Sequence, residues 1–247
     1  MRAVLHRAMA SYLRALEAHP DPGLPPLPLR ACAQTLGLDG LAFLLASDGT
    51  PPELLQSYGE HTAALEDVQL TQGQGPSLDA ARHATLTLAP DMAALDPSRW
   101  PGLAPAVLGL GVRAVFAFPL RIGNICLGVL TAHRTAPGPM TAPQLTDALI
   151  LADTVAGLLT GLAARPGPSA ALLMDDPGLH FAEVHQATGM LAAQLGIPLA
   201  QALVRLRAHA FSHDRPLLET ARDVLGRRLR LDVTDNGTDP QDRQDDQ

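Results

Sequence analysis

Lysine is absent from this chain: all 18 of its basic residues are arginine. Alanine, proline and glycine are abundant, so the bias points to a GC-rich coding sequence and carries no mechanism of its own. Aromatic residues make up only 3% of the 247 positions against 47% hydrophobic ones, so any core must be built from Leu, Ala and Val. Two cysteines, Cys32 and Cys126, are too few for a disulfide framework or a Cys-based metal site. No stretch reaches the ~18 uninterrupted apolar residues that a membrane span needs. Arg2, Arg7 and Arg14 break up the first helical pattern before a signal-peptide core can develop. A cytoplasmic protein is therefore expected.

Catalytic signatures are missing too. No Ser-His-Asp pattern, phosphate loop or dinucleotide fingerprint is present, and Gly73-Gln74-Gly75 lacks the strand-to-helix setting such a loop requires. His209 and His213 stand at i and i+4, but no Glu or Cys accompanies them in register, so no metal site is expected. No cofactor and no enzymatic activity are expected.

What the chain does contain is uneven charge. The net charge is −7, yet residues 177–231 hold seven arginines against Glu183, Asp214, Glu219 and Asp223, a local excess of +3. Residues 1–176 and the Asp-rich end at 232–247 are each net acidic. One basic module in an acidic chain suits a polyanion site confined to that module.

Hydrophobic spacing predicts a helix over 2–18, followed by a Pro-rich connection that cannot continue it. A second helix over Leu29–Leu36 should end at Gly37, a natural left-handed cap. Gly40–Gly49 reads as a strand closed by an Asp-Gly turn, with Glu53–Tyr58 as its partner. Thr85–Leu88 reads as another strand. Val112–Leu120 and Ile125–Thr131 form the clearest strand pair, and Thr141 is set to cap a long helix to Ala164. Arg165-Pro166-Gly167-Pro168-Ser169 marks a linker. Three short amphipathic helices follow, with Asp214 placed to cap the third. After Asp232 almost nothing apolar remains, and disorder is expected. The fold class is α+β.

Several fragments in their order sharpen this reading. Gly73-Gln74-Gly75-Pro76-Ser77-Leu78-Asp79-Ala80, Pro90-Asp91, Arg99-Trp100-Pro101, Gly111–Phe116, Phe118-Pro119-Leu120 and Gly128-Val129-Leu130 resemble GAF domains that are joined to ANTAR domains. His185-Gln186-Ala187-Thr188-Gly189-Met190, Leu206-Arg207 and the terminal Arg227-Arg228-x-Arg230 resemble the ANTAR module itself. The resemblance, of the type found in actinobacteria, implies a GAF-like antiparallel sheet flanked by helices, followed by a C-terminal three-helix bundle. The expected layout is an N-terminal helix and connection at 1–28, the GAF-like domain at 29–164 and a linker at 165–176. The RNA-binding domain then occupies 177–231, before an acidic tail at 232–247.

The resemblance also implies a regulator of transcription antitermination, a homodimer whose paired modules hold paired stem-loops in nascent RNA. Its RNA contacts would come from His185, Gln186, Thr188, Gly189, Arg205, Arg207, Arg222, Arg227 and Arg228. Gly189 weakens its helix by about 1 kcal/mol relative to Ala, which suggests a close approach to the backbone there. Thr188 departs from the family, where lysine is common, and cannot supply a phosphate charge. Charge alone would also fit a solvated helical face. For the GAF-like module the implied input is a small ligand or a partner protein, with Phe43, Tyr58, Phe116, Phe118 and Cys126 as wall candidates. Aromatic strand residues of this kind are as readily ordinary core. A chain without lysine cannot carry the Asn-Lys-x-Phe-Asp-Glu signature of cyclic-nucleotide-binding relatives. The alternatives are a DNA-binding helix-turn-helix regulator, or a small-molecule-binding GAF protein whose bundle serves protein association.

Overall fold

A computed structural model of the chain describes residues 27–47, 50–163 and 180–231. The expected helix at 2–18, the Asp48-Gly49 turn, the linker at 165–176, Leu179 and the tail at 232–247 lie outside them. The chain divides into two compact units, Met1–Ala182 and Glu183–Gln247.

The first unit opens with α1 (Leu29–Leu36), which Gly37 ends in the left-handed conformation at φ 65°, its N–H donating to Ala33 and Gln34 carbonyls. The strands are β1 (Gly40–Ser47), β2 (Thr50–Tyr58), β3 (Thr87–Ala89), β4 (Ala114–Ile122) and β5 (Ile125–Arg134). They form one antiparallel sheet in the order β2-β1-β5-β4-β3. β4 and β5 run further than their apolar stretches alone predict, leaving Gly123-Asn124 as a two-residue turn. Gly123 takes φ 58°, a left-handed first turn position that preserves the strand twist.

Three helices missing from the sequence reading fill the long connections: α2 (Thr62–Gln72), α3 (Pro76–His83) and α4 (Leu103–Gly109). The Gly73–Ala80 stretch is therefore mostly helix, with Gly73 capping α2 and Gly75 opening α3. α5 (Ala142–Ala163) closes the sheet domain. Its start is a reciprocal cap: the Gln144 N–H donates to Thr141 Oγ1 at 3.4 Å, and Gln144 Oε1 accepts from the Thr141 N–H at 2.9 Å. That Ser/Thr-x-x-Glu/Gln arrangement satisfies two otherwise orphaned donors. Gln144 Nε2 also donates to the Leu36 carbonyl at 2.8 Å, tying α5 to α1.

Strand alternation sorts the side chains into two layers. Leu41, Phe43 and Leu45 of β1, Phe116 and Phe118 of β4, and Leu130 and Ala132 of β5 pack with Cys32 and Leu36 of α1 and Leu151 and Val155 of α5. The opposite layer holds Val115 with Leu65, Met92, Trp100, Leu103 and Val107, and Ala117 and Val129 with Ala80. Trp100 Nε1 donates to Asp79 Oδ2 at 2.9 Å, joining the stretch before α4 to α3. Replacing Trp100 with Phe should lower stability by about 1–2 kcal/mol, read as a lower urea midpoint at unchanged slope. At the end of this unit, Glu53 of β2 is fully buried and its Oε1 accepts the Phe181 N–H at 2.6 Å. His180 Nε2 lies 2.8 Å from Asp67 Oδ1 of α2.

The second unit contains α6 (Ala182–Leu195), α7 (Leu199–Ser212) and α8 (Leu217–Leu225). Val184, Ala187 and Leu191, Ala202, Leu203, Leu206 and Ala210, and Leu217, Ala221 and Val224 are buried. Gly196 at φ 62° and Pro198 separate α6 from α7. Asp214 does not cap the third helix as expected. It sits in the turn at φ 50°, and Pro216 precedes the first helical residue with no side-chain cap. Among the described residues no single helix is long and apolar enough to cross a membrane.

Candidate functional site

The sheet face beneath α2 and α3 is not wholly apolar. Thr62, Glu66 and Gln69 lie along the buried face of α2, while Thr131 and His133 take alternate inward positions on β5. A four-residue step on a helix advances ~6 Å and a two-residue step on a strand ~6.7 Å. The two polar rows can therefore pair rung by rung. On the first rung His133 Nε2 and Thr62 Oγ1 are 3.0 Å apart. Thr62 donates its own proton to the Tyr58 carbonyl at 2.7 Å, so the imidazole must donate through Nε2–H, leaving Nδ1 as a bare acceptor. Burial holds the His133 pKa down to about 4, and it is neutral near pH 7. Gly40 makes this rung possible, because a Cβ there would collide with His133 Nε2 and Thr62 Oγ1.

On the second rung Glu66, 2% exposed, faces Thr131 and Ser77 of α3. Gln69 Nε2 donates to Glu66 Oε2 at 3.2 Å, and Gln69 Oε1 accepts the Ser77 N–H at 2.9 Å. The Ser77 and Thr131 hydroxyls lie near enough to favour the charged carboxylate, but neither closes a hydrogen bond with it. Glu66 Oε1, Ser77 Oγ and Thr131 Oγ1 are all buried without a partner. Desolvation prevails and pushes the Glu66 pKa up to about 7, Asp67 adding a smaller push in the same direction. Buried polar atoms are nearly always hydrogen-bonded, so three unmatched atoms converging from α2, α3 and β5 mark this cluster as the candidate site. A separate open cleft of about 290 Å³ borders α4, lined by Met92, Leu95, Trp100 and Leu108 among others. It gathers no comparable unmatched polar groups.

The expected pocket walls lie elsewhere. Phe43, Phe116 and Phe118 belong to the opposite layer, packed against α1 and α5, and Tyr58 leans on that same core. Their odd-even register on β1 and β4 forces this, since Ala42 and Ala117 take the inward positions toward the polar cluster's side. Cys126, half-buried near the β4–β5 turn, donates its thiol to the Gly128 carbonyl at 3.2 Å, and burial raises its pKa. None of the five therefore lines the Glu66 cluster. Glu66, Gln69, Thr131 and His133 were not among the sequence candidates. The available signal was Thr131 and His133 alternating with Leu130 and Ala132 in an otherwise apolar strand.

In the second unit the expected RNA contacts divide. Thr188 is buried and its hydroxyl donates to the Val184 carbonyl at 2.7 Å within α6, so it is withdrawn from the surface. A Cβ on Gly189 would meet nothing within 4 Å, so close packing does not explain that glycine. His185 is half-buried and Gln186 exposed on α6, and Arg205 and Arg207 are half-buried on α7. Arg222 pairs with Glu183 at 2.8 Å and Arg228 with Asp223 at 2.8 Å. Arg215 also reaches Asp223 at 2.8 Å. Arg227, at φ 56°, and Arg230 are exposed.

A five-stranded antiparallel sheet with helices on both faces and a polar cluster beneath two of them defines an α+β domain. The GAF domain family model matches residues 29–159, more than half of the chain, and the chain belongs to that family. The GAF domain of a phosphoenolpyruvate-protein phosphotransferase from Coxiella burnetii shares the fold at 14% identity and a TM-score of 0.50, covering 65% of this chain and 95% of that one. The corresponding domain from Acinetobacter covers 67% of this chain and 95% of its own at 11% identity and a TM-score of 0.48. No protein among the curated sequences matches the chain.

Proposed function

We propose that this protein is a signal-responsive regulator: the GAF domain receives a small molecule at the Glu66 cluster, and the C-terminal three-helix unit binds RNA. The observation that carries the input half is the set of unmatched buried atoms on Glu66, Ser77 and Thr131. The output half is supported by a second compact unit that carries exposed arginines just past α8. Exposed Arg227 and Arg230 have no acidic partner among the described residues, so both are available to phosphate oxygens. Phosphate contacts supply affinity, and polar side chains such as Gln186 would read exposed loop bases. Pairing in a homodimer would let two weak sites hold two hairpins together. No catalytic role is proposed.

Filter binding with salt titration tests the output half. Loop-bearing RNA hairpins should outcompete matched duplex DNA, with affinity falling as salt rises. Replacing Arg227 and Arg230 with Ala together should weaken hairpin binding several-fold and flatten the salt slope by about 2. Unchanged binding by the folded variant, or none by the native chain, would sink the RNA reading. A second reading draws on α7, where Val204 and Phe211, seven residues apart, are each 62% exposed. That apolar stripe favours protein association, and a chain that dimerises through it while ignoring RNA would satisfy this reading instead.

A further inference from the structure

We infer that the Glu66 cluster recognises the ammonium head of a small protonated amine, an inference that rests on the GAF domain being a small-molecule sensor. The chemistry of the unmatched groups selects the ligand. An ionised carboxylate only accepts, while the Ser77 and Thr131 hydroxyls can accept as well as donate. An ammonium group brings three N–H donors and one positive charge, which matches three converging oxygens: Glu66 Oε1, Ser77 Oγ and Thr131 Oγ1. A buried carboxylate is costly alone and is offset by a hydrogen-bonded cation.

The same surroundings reject other ligand classes. An anion would meet no positive side chain here: His133 is neutral, and the charged neighbour influencing Glu66 is Asp67, a second negative group. A neutral carbonyl compound would offer Glu66 another acceptor and leave the carboxylate unmet. The adjoining wall of Ala80, Ala117 and Val129 is apolar and mostly small, suited to a short alkyl group behind the ammonium.

Because Glu66 must ionise to take the cation, binding competes with its proton. With a carboxyl that titrates near pH 7, the amine should bind about tenfold tighter at pH 8 than at pH 6. Binding should release protons in proportion to the protonated fraction of Glu66.

The experiment uses the full chain with methylammonium chloride, against sodium chloride, sodium acetate and acetamide at matched ionic strength. It is read by thermal unfolding and titration calorimetry at pH 6 and pH 8. Methylammonium should raise the unfolding temperature saturably, more at pH 8, and release protons. Glu66→Gln, nearly isosteric and uncharged, should stay folded and lose the saturable effect, and Ser77→Ala should weaken it several-fold. Methylammonium acting no differently from sodium, or binding Glu66→Gln as well as the native chain, would overturn the inference. Saturable binding of acetamide or acetate in its place would overturn the amine while leaving the sensor reading intact. Saturation by none of the probes would overturn both.

Discussion

The unfolding free energy of the native chain is expected to change little between pH 4.5 and 6.5, because two buried groups titrate there in opposition. Burial raises the Glu66 carboxyl from its usual 4.5 to about 7, so the folded state holds this proton more tightly than the unfolded state. Its contribution is full below pH 4.5 and is lost as pH climbs through 7. His133 behaves in the reverse sense. Burial lowers it from 6.5 to about 4, so the unfolded state takes up its proton first. Its contribution is full above pH 6.5 and is lost as pH falls through 4.

A tenfold change in proton affinity is worth about 1.4 kcal/mol. Each group therefore swings stability by about 3 kcal/mol, with opposite sign. Replacing Glu66 with Gln unmasks His133: stability should rise by about 3 kcal/mol from pH 4 to 6.5, and the variant should exceed the native chain by a similar amount at pH 8. Replacing His133 with Gln should leave the falling profile of Glu66 instead. Asp39, Asp91, Asp96 and Asp223 have lowered pKa values. All four titrate alike in the native chain and Glu66→Gln, so that difference profile isolates Glu66, whereas His133→Gln also removes the small pull that His133 exerts on Asp39. Urea titrations across the range settle the matter, and a Glu66→Gln profile parallel to the native one would refute the assignment.

The second large effect is steric. Gly40→Ala should cost about 3 kcal/mol, since the added methyl displaces both partners of the His133–Thr62 hydrogen bond within a packed layer. The backbone at Gly40 is not in the left-handed region, so the loss would come from crowding rather than from a strained φ. That distinction is testable by a double-mutant cycle. If crowding against the imidazole is the cause, Gly40→Ala combined with His133→Ala should be less destabilising than the two losses added. Strict additivity in equilibrium unfolding would point to the backbone after all.

The elements that were legible in the sequence are those whose signals are local. Gly37 ends α1 because a left-handed cap needs no partner to be recognised, and Thr141 marks the start of α5 by its residue type in the same way. The β4–β5 pair is visible because its apolar residues run almost unbroken. α2 was not legible, and the reason is chemical. Its buried face carries Thr62, Glu66 and Gln69 beside Leu65 and Leu70, so the polar residues that build the candidate site break the apolar period that would reveal the helix. The aromatic wall candidates failed for a related reason. Period-two alternation places Phe43, Phe116 and Phe118 together on one face but does not say which face holds the polar cluster.

The Glu53–Phe181 hydrogen bond bears on how the domain should be cut for study. The family match stops at Leu159, yet a fully buried carboxylate of β2 relies on a backbone donor more than twenty residues further along. A fragment trimmed to the family boundary would forfeit that donor and the His180–Asp67 contact on α2, the helix that also carries Glu66. Measurements on such a fragment would report a domain that lacks both contacts. Boundaries drawn by resemblance and boundaries drawn by hydrogen bonding differ here, and the second should guide the scissors.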